Sequence, residues 1–148
     1  MTDAHKGRRR PGENRRRLVE AGLVEFGLYG YHGTSTGRIA ARADVPQPHL
    51  YANFPSKRAL LLACAEDSIE RLCALTEASG ASPEDLLLLV QLIASMPDSE
   101  VGPAIAPLIR ELSELYGPTE FTLLTQLGVT ALLAHGSDVS SAPAEFSG

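Results

Sequence analysis

The sequence is short of several residue types whose presence would have narrowed its function. It has no tryptophan, four tyrosines and four phenylalanines, so aromatic residues make up 5% of its 148 positions. Strands favour aromatic residues, so their scarcity suggests a helical core of Leu, Ala, Ile and Val. There are two cysteines, Cys64 and Cys73. On one helix they stand ~13 Å apart at about 1.5 Å per residue, whereas a disulfide needs Cα atoms within roughly 7 Å. They cannot pair within the chain, and buried thiols in a reducing cytoplasm are expected. The longest apolar run, Leu86 to Met96 with Gln91 and Ser95 inside it, falls short of the roughly 20 residues a membrane helix needs. The early Arg and Lys clusters lead into no apolar segment of the signal type. His5, His32, His49 and His135 share no ligand spacing with cysteines or carboxylates. Nucleophile-elbow and phosphate-loop patterns are missing. No membrane partner, metal, cofactor or enzyme chemistry is expected.

Charge is uneven. Residues 1–58 hold eleven Lys/Arg against five Asp/Glu, and residues 59–148 hold two against thirteen, within a net charge of −5. A basic first third on an acidic remainder is the footprint of a nucleic-acid module attached to a separate body. A solvated basic tail is the plainer reading, because six of the eleven cations are Arg8–Arg10 and Arg15–Arg17.

The stretch from Gly30 to Leu62 decides between them. Gly30 follows the apolar-periodic Leu18, Gly22, Leu23 and Phe26, where a helix would end on a left-handed residue. Tyr31 would then fold back onto Phe26. Thr34 and Ser35 offer hydroxyls to cap a helix over about Thr36 to Ala43, with Ile39, Ala40 and Ala43 inward. Asp44 tolerates a left-handed turn, and Val45 is an apolar plug. Pro46 and Pro48 suit a first helical turn, so the next helix starts near Pro46 or Gln47 and ends around Asn53. Leu50 and Phe54 face inward, leaving Gln47, Pro48, His49, Tyr51 and Asn53 outside. Ser56 caps a following helix that opens with Lys57 and Arg58. Two helices, a tight turn and a polar N-terminal face on the second describe a helix-turn-helix that reads DNA.

The run Thr34-Ser35-Thr36, Ile39-Ala40, Ala43-Asp44-Val45, Leu50-Tyr51, Phe54, Lys57 and Leu60-Leu61 resembles the N-terminal domain of the tetracycline-repressor (TetR) family of transcriptional regulators, over about residues 14 to 64. The resemblance implies that Gln47, Pro48 and His49 approach base edges, with Asn53 on the same helix. It implies that Tyr51 and Lys57 meet phosphates, and that Ser35, Thr36 and Arg38 lie near the DNA backbone. Three positions depart from the pattern. Gly37 stands where relatives carry a long polar side chain, Pro46 where a capping Ser or Thr is common, and Asp44 where Gly is usual.

The remainder reads as helices over about Lys57 to Glu77, Pro83 to Ser95, Ala106 to Tyr116 and Pro118 to Ala134, closed by Gly136. Pro103 and Pro107 are expected to break regularity, giving a weak first turn or two and a cleaner helix from Ala106 to Tyr116. Glu84, Asp85, Glu111 and Glu114 read as solvated helix faces. The predicted organisation is all-α: a helix-turn-helix head over 13–58, a short helical ligand and dimerisation body over 59–136, and flexible tails at 1–12 and 137–148. In the family the body takes a small molecule and dimerises through its last two long helices. Leu62, Ile69, Leu89, Ile93, Met96 and Ile109 could line such a pocket, though core is the plainer role. Leu112, Leu115, Phe121, Leu124, Gly128 and Ala131 could form the dimer stripe, with intramolecular packing as the alternative. The body is shorter than is usual for the family. The expected function is a cytoplasmic homodimeric repressor on a palindromic double-stranded DNA operator, released by a small apolar or amphipathic effector. The alternatives are a regulator without a pocket and a helical interaction protein whose head does not read DNA.

Overall fold

Serine hydroxyls start three of the helices. Ser35, Ser56 and Ser82 each accept a hydrogen bond from the amide three residues on, satisfying a donor that the first turn leaves unpaired. The computed structural model describes residues 9–140. The elements are α1 (Glu13–Tyr29), α2 (Thr36–Ala43), α3 (Gln47–Asn53), α4 (Lys57–Cys73), a single 3-10 turn (Ala78–Gly80), α5 (Pro83–Ala94) and α6 (Gly102–Ser140). No strand occurs among the described residues, and the architecture is all-α.

The head packs Leu18, Phe26, Ile39, Val45, Leu50 and Phe54 into one contiguous core with Leu60 and Leu61 of α4. Gly30 has φ 74° and ψ 177°, a region open only to glycine at low cost. Its amide donates to the Phe26 carbonyl at 2.8 Å, and Tyr31 stacks on Phe26 with ring centroids 6.3 Å apart. Ser35 alone caps α2. The Thr34 hydroxyl is turned back instead, 2.7 Å from the Gly30 carbonyl and 3.1 Å from that of Glu25. Asp44 takes the left-handed conformation at φ 54°, ψ 47°.

The body departs from the sequence expectation in four places. Helix α4 stops at Cys73 rather than near Glu77. There the Tyr116 hydroxyl donates to the Leu72 carbonyl at 2.6 Å, and Ala78 is buried by the turn that follows. Helix α6 begins at Gly102 and runs through Pro107. Pro103 lies in the first turn, where no amide partner is needed, and the missing Pro107 amide would have bonded back only to that turn. The helix is broken at Gly117, with φ 74° and ψ 167°, and restarts at Pro118. It then continues past Gly136 to Ser140. Most of the 1–12 segment and residues 141–148 lie outside the described residues.

Asp85 is the third departure, since it is 3% exposed rather than solvated. It receives Ser68 Oγ at 2.6 Å, Ser82 Oγ at 3.0 Å and Arg71 through Nη2 at 2.8 Å and Nε at 3.0 Å. Arg71 also pairs with Asp67. Burial pushes the Asp85 carboxyl up, but the bonds from Arg71, Ser68 and Ser82 outweigh it and hold it below its ordinary value.

The fourth departure is the expected dimer stripe. Leu112 and Leu124 are fully buried within the protomer. A Cβ added at Gly128 would stand 2.6 Å from Val90 Cγ2 and 2.7 Å from the Leu86 carbonyl oxygen, so this small residue admits α5. The body is too small to spare that face, because α5 is apolar nearly all round and needs α6 to cover it. Phe121 packs partly buried against the same core, Ala131 is half-buried, and Leu115 is exposed. The outward apolar positions are Leu115, Leu123, Val129 and Leu133.

Candidate nucleic-acid interface

Helix α3 is seven residues long and holds on by one side. Leu50 is fully buried and Phe54 follows it inward, while Gln47, Pro48, His49, Tyr51 and Asn53 are exposed. Pro46 stands at the cap position with φ −57°, and its carbonyl accepts the amides of His49 at 2.9 Å and Leu50 at 3.3 Å. A serine hydroxyl is absent there, yet the turn is closed.

The polar groups on this side join α2 to α3. Thr36 Oγ1 lies 2.9 Å from the Tyr51 hydroxyl and accepts Gln47 Nε2 at 3.3 Å. Asn53 Nδ2 donates to the His49 carbonyl at 2.8 Å. These bonds are exposed and individually weak, so they orient the side chains without committing them. Gly37 would hold a small side chain in ordinary contact beside them: an added Cβ would meet Gln47 Nε2 at 3.8 Å and Ser35 Oγ at 4.0 Å.

Cations surround the surface. Lys57 Nζ donates to the Tyr31 carbonyl at 2.8 Å and the Thr34 carbonyl at 3.1 Å, and sits 4.4 Å from the Tyr31 ring centre. An ammonium has three donors, so one proton remains for an outside acceptor. Arg38 lies over the Tyr29 ring at 4.3 Å, with Nε 3.6 Å from Glu25 Oε2. Arg42 Nε donates to Glu25 Oε1 at 2.8 Å. Glu25 is 3% exposed, so α1 supplies a buried anion that holds two arginines of α2 in place.

Sequence reading missed Glu25, and it missed Arg9. The guanidinium of Arg9 donates to the Asp44 carbonyl at 2.7 Å, approaches Asp44 Oδ2 at 3.3 Å and reaches Asn14 Oδ1 at 2.8 Å. The carboxylate at the helix-turn-helix turn is therefore faced by a cation from the chain's start. The unusual Asp44 was the signal that a partner was needed. Nothing in the local sequence pointed to a residue thirty-five positions away.

The head is tied to the body by the turn after α1. Tyr31 Oη donates to Glu100 Oε1 at 2.6 Å, His32 Nε2 lies 2.6 Å from Asp98 Oδ2, and Arg58 Nε donates to the Glu100 carbonyl at 3.0 Å. Burial and the bond to Glu100 push the Tyr31 hydroxyl up to about 12.

The six residues expected to line a ligand pocket all belong to the packed interior or its margin. Ile69, Leu89 and Ile109 belong to the buried core, and Leu62, Ile93 and Met96 pack against it. A cleft of about 540 Å³ lies elsewhere, between the end of α4 and the kink of α6, lined by Cys73, Leu75, Tyr116 and Leu123 with Glu77 and Glu120. No described helix is long and apolar enough to cross a membrane. Both cysteines are free, and burial pushes the Cys64 thiol up to about 12.

Residues 18–64, the segment that forms the rest of α1, α2, α3 and the start of α4, match the bacterial regulatory proteins of the tetR family. The head belongs to the TetR family. A Bacillus subtilis (strain 168) protein named as the uncharacterized HTH-type transcriptional regulator YdgC is 31% identical over 96 residues, which are 60% of this chain and 49% of that protein. The HTH-type transcriptional repressor KstR of Mycolicibacterium smegmatis is 32% identical over 77 residues, covering 52% of this chain and 38% of KstR. The chain thus spans about half the length of the first relative and less of the second. A crystal structure described as a TetR-family transcriptional regulator from Rhodococcus sp. superposes with a TM-score of 0.57 at 16% identity, over 89% of this chain and 90% of that one. That likeness concerns the fold, and it extends beyond the TetR head into the body.

Proposed function

We propose that this chain is a DNA-binding transcriptional regulator that acts in the cytoplasm as a homodimeric repressor of a palindromic operator. The observation that carries the proposal is the exposed N-terminal face of α3, with Gln47, Pro48 and His49 outward and Leu50 locked in the core. In this reading Ser35, Thr36, Tyr51 and Lys57 meet the phosphates on either side, and Arg38 adds charge beside them. The three departures from the family pattern do not argue for a degenerate head. Asp44 is faced by Arg9, Pro46 closes its turn through its carbonyl, and Gly37 admits a small side chain rather than removing a support.

One recognition helix touches few base pairs, and two heads about one helical turn apart, ~34 Å, double the contacts. The surface we assign to the second copy is the outward side of α6, where Leu115, Leu123, Val129 and Leu133 are 60%, 40%, 46% and 68% exposed. The division of labour is then a reading head over residues 13–58 and a pairing body over 59–136. A small apolar or amphipathic effector would act through the body, and the cleft at the α4 end is a space it could enter.

Selection of duplexes from a random-sequence library tests the reading. Wild type should return a two-fold consensus. Gln47→Ala should lose about 1–3 kcal/mol on that consensus and far less on random DNA. An identical consensus from both proteins would remove Gln47 from the reading set, and the absence of any enriched duplex would defeat the proposal.

A further inference from the structure

The start of α4 is tied to the body through one tyrosine. Tyr31 is 5% exposed and is engaged at three points. Its carbonyl accepts Lys57 Nζ at 2.8 Å, its ring centre lies 4.4 Å from the same ammonium, and its hydroxyl donates to Glu100 Oε1 at 2.6 Å. Lys57 opens α4 in the head, whereas Glu100 lies in the turn between α5 and α6. That turn is itself tied down. Asp98 Oδ1 accepts the amides of Glu100 at 2.8 Å and Val101 at 3.2 Å, and Asp98 Oδ2 lies 2.6 Å from His32 Nε2. Val101 is fully buried, and the Glu100 carbonyl accepts Arg58 Nε at 3.0 Å. A carboxylate of the body therefore fixes one end of the Tyr31 side chain, and Lys57 rests against the same residue.

We propose that Tyr31 and Glu100 are positioning residues for the phosphate contact of Lys57, so that the α5–α6 turn of the body sets how well the head grips DNA. The inference rests on the DNA-binding reading above. The Lys57 ammonium donates to the carbonyls of Tyr31 and Thr34, and the direction of its third proton follows from where those carbonyls and the ring stand. Without the bond to Glu100 the ring loses its fixed end, and the lysine regains rotamers that DNA binding must then freeze at an entropic cost. Electrostatics alone predicts the reverse. Glu100 is an anion one tyrosine ring away from Lys57, so removing its charge would strengthen binding to a polyanion. Positioning predicts that removing the side chain weakens binding. The sign of the effect separates the two.

The test uses the full chain on a duplex recovered by library selection, with affinity followed against salt and the fold of each variant checked by thermal unfolding. Lys57→Ala sets the reference, a fall of about 0.9 in the slope of log K against log salt. Tyr31→Phe keeps the ring and the carbonyl and loses only the hydroxyl. Its slope should fall toward the Lys57→Ala value, and combined with Lys57→Ala it should add no further loss, because both act on one contact. Glu100→Ala should weaken binding in the same way despite the lost anion. Glu100→Gln keeps an acceptor for the hydroxyl and should restore the wild-type slope. Affinity and slope unchanged or raised in Tyr31→Phe and Glu100→Ala, with Lys57→Ala still lowering the slope, would overturn the inference and leave the phosphate contact standing. Additive losses from Tyr31→Phe and Lys57→Ala would overturn it too. A slope that Lys57→Ala leaves unchanged would defeat the Lys57 contact itself, and the inference with it.

Discussion

Around α3 the polar side chains of the head meet one another in the open: Thr36 with Tyr51 and Gln47, Asn53 with the His49 carbonyl. Around α5 the body withdraws its polar groups from water. Asp85 is 3% exposed and collects four hydrogen bonds from Ser68, Ser82 and Arg71. An exposed bond can be exchanged for one to a ligand at little cost, whereas a buried network loses its full desolvation cost when a member is removed. The head keeps its reading groups available, and the body uses its polar groups to hold two helices together. Substitutions should separate the two regions accordingly, the body losing stability and the head losing binding.

The largest effect is expected at Gly128. Its Cβ position is already occupied by Val90 and the Leu86 carbonyl, so Gly128→Glu drives a charge into a closed α5–α6 contact. A loss of about 3 kcal/mol or more is expected. Thermal unfolding measures it, and a variant that melts like wild type but sediments as a monomer would return Gly128 to a dimer interface.

Asp85→Asn comes next, at about 2–4 kcal/mol, because a buried ion pair loses one partner while Arg71 stays partly solvated. It also carries a pH signature. The folded carboxyl is the stronger acid, so folding is favoured while Asp85 is ionised, above about pH 4. That contribution is lost as pH falls through the lowered folded value. Urea titrations between pH 3 and 7 should show wild type weakening with acid and Asp85→Asn responding less. Parallel curves would show that Asp85 is not the group involved.

Lys57 blurs the comparison, since within the head it serves both stability and the proposed binding. Lys57→Ala should remove the two bonds to the turn carbonyls, at about 1–2 kcal/mol of stability. It should also lower the salt slope of DNA binding by about 1. A lower melting temperature with an unchanged slope would make Lys57 a strut of the turn and not a phosphate contact.

The smallest effect has the opposite sign. Gly37 lies in α2 with only ordinary contacts around an added Cβ. Gly37→Ala should stabilise the head by about 0.5–1 kcal/mol and leave binding to the selected duplex unchanged. Weaker binding would mean that Gly37 allows a close approach of DNA backbone.

The helix boundaries of the head were legible because their causes are local. Ser35, Asp44, Pro46, Pro48 and Ser56 each act within three residues, by capping or by fixing a dihedral, and α2, α3 and the start of α4 fall where those residues predict, as the end of α1 does at Gly30. Which side of α3 turns outward was legible too, since Leu50 and Phe54 stand one helical turn apart. The uneven charge and the resemblance over about residues 14 to 64 belong to the sequence in the same way. The body was less legible because its deciding contacts are distant in sequence. The end of α4 depends on Tyr116, the burial of Asp85 on Ser68 and Arg71 of another helix, and the hidden face of α6 on Leu86 and Val90. A helical stripe such as Phe121, Leu124, Gly128 and Ala131 specifies that something packs there but not whether it belongs to the same chain. Arg9 and Asp44 show the same limit inside the head. Sequence alone determined where short-range forces start and stop each of its helices. Only the tertiary structure decided which charges meet and which apolar faces are covered, because those interactions act through space between residues the chain keeps far apart.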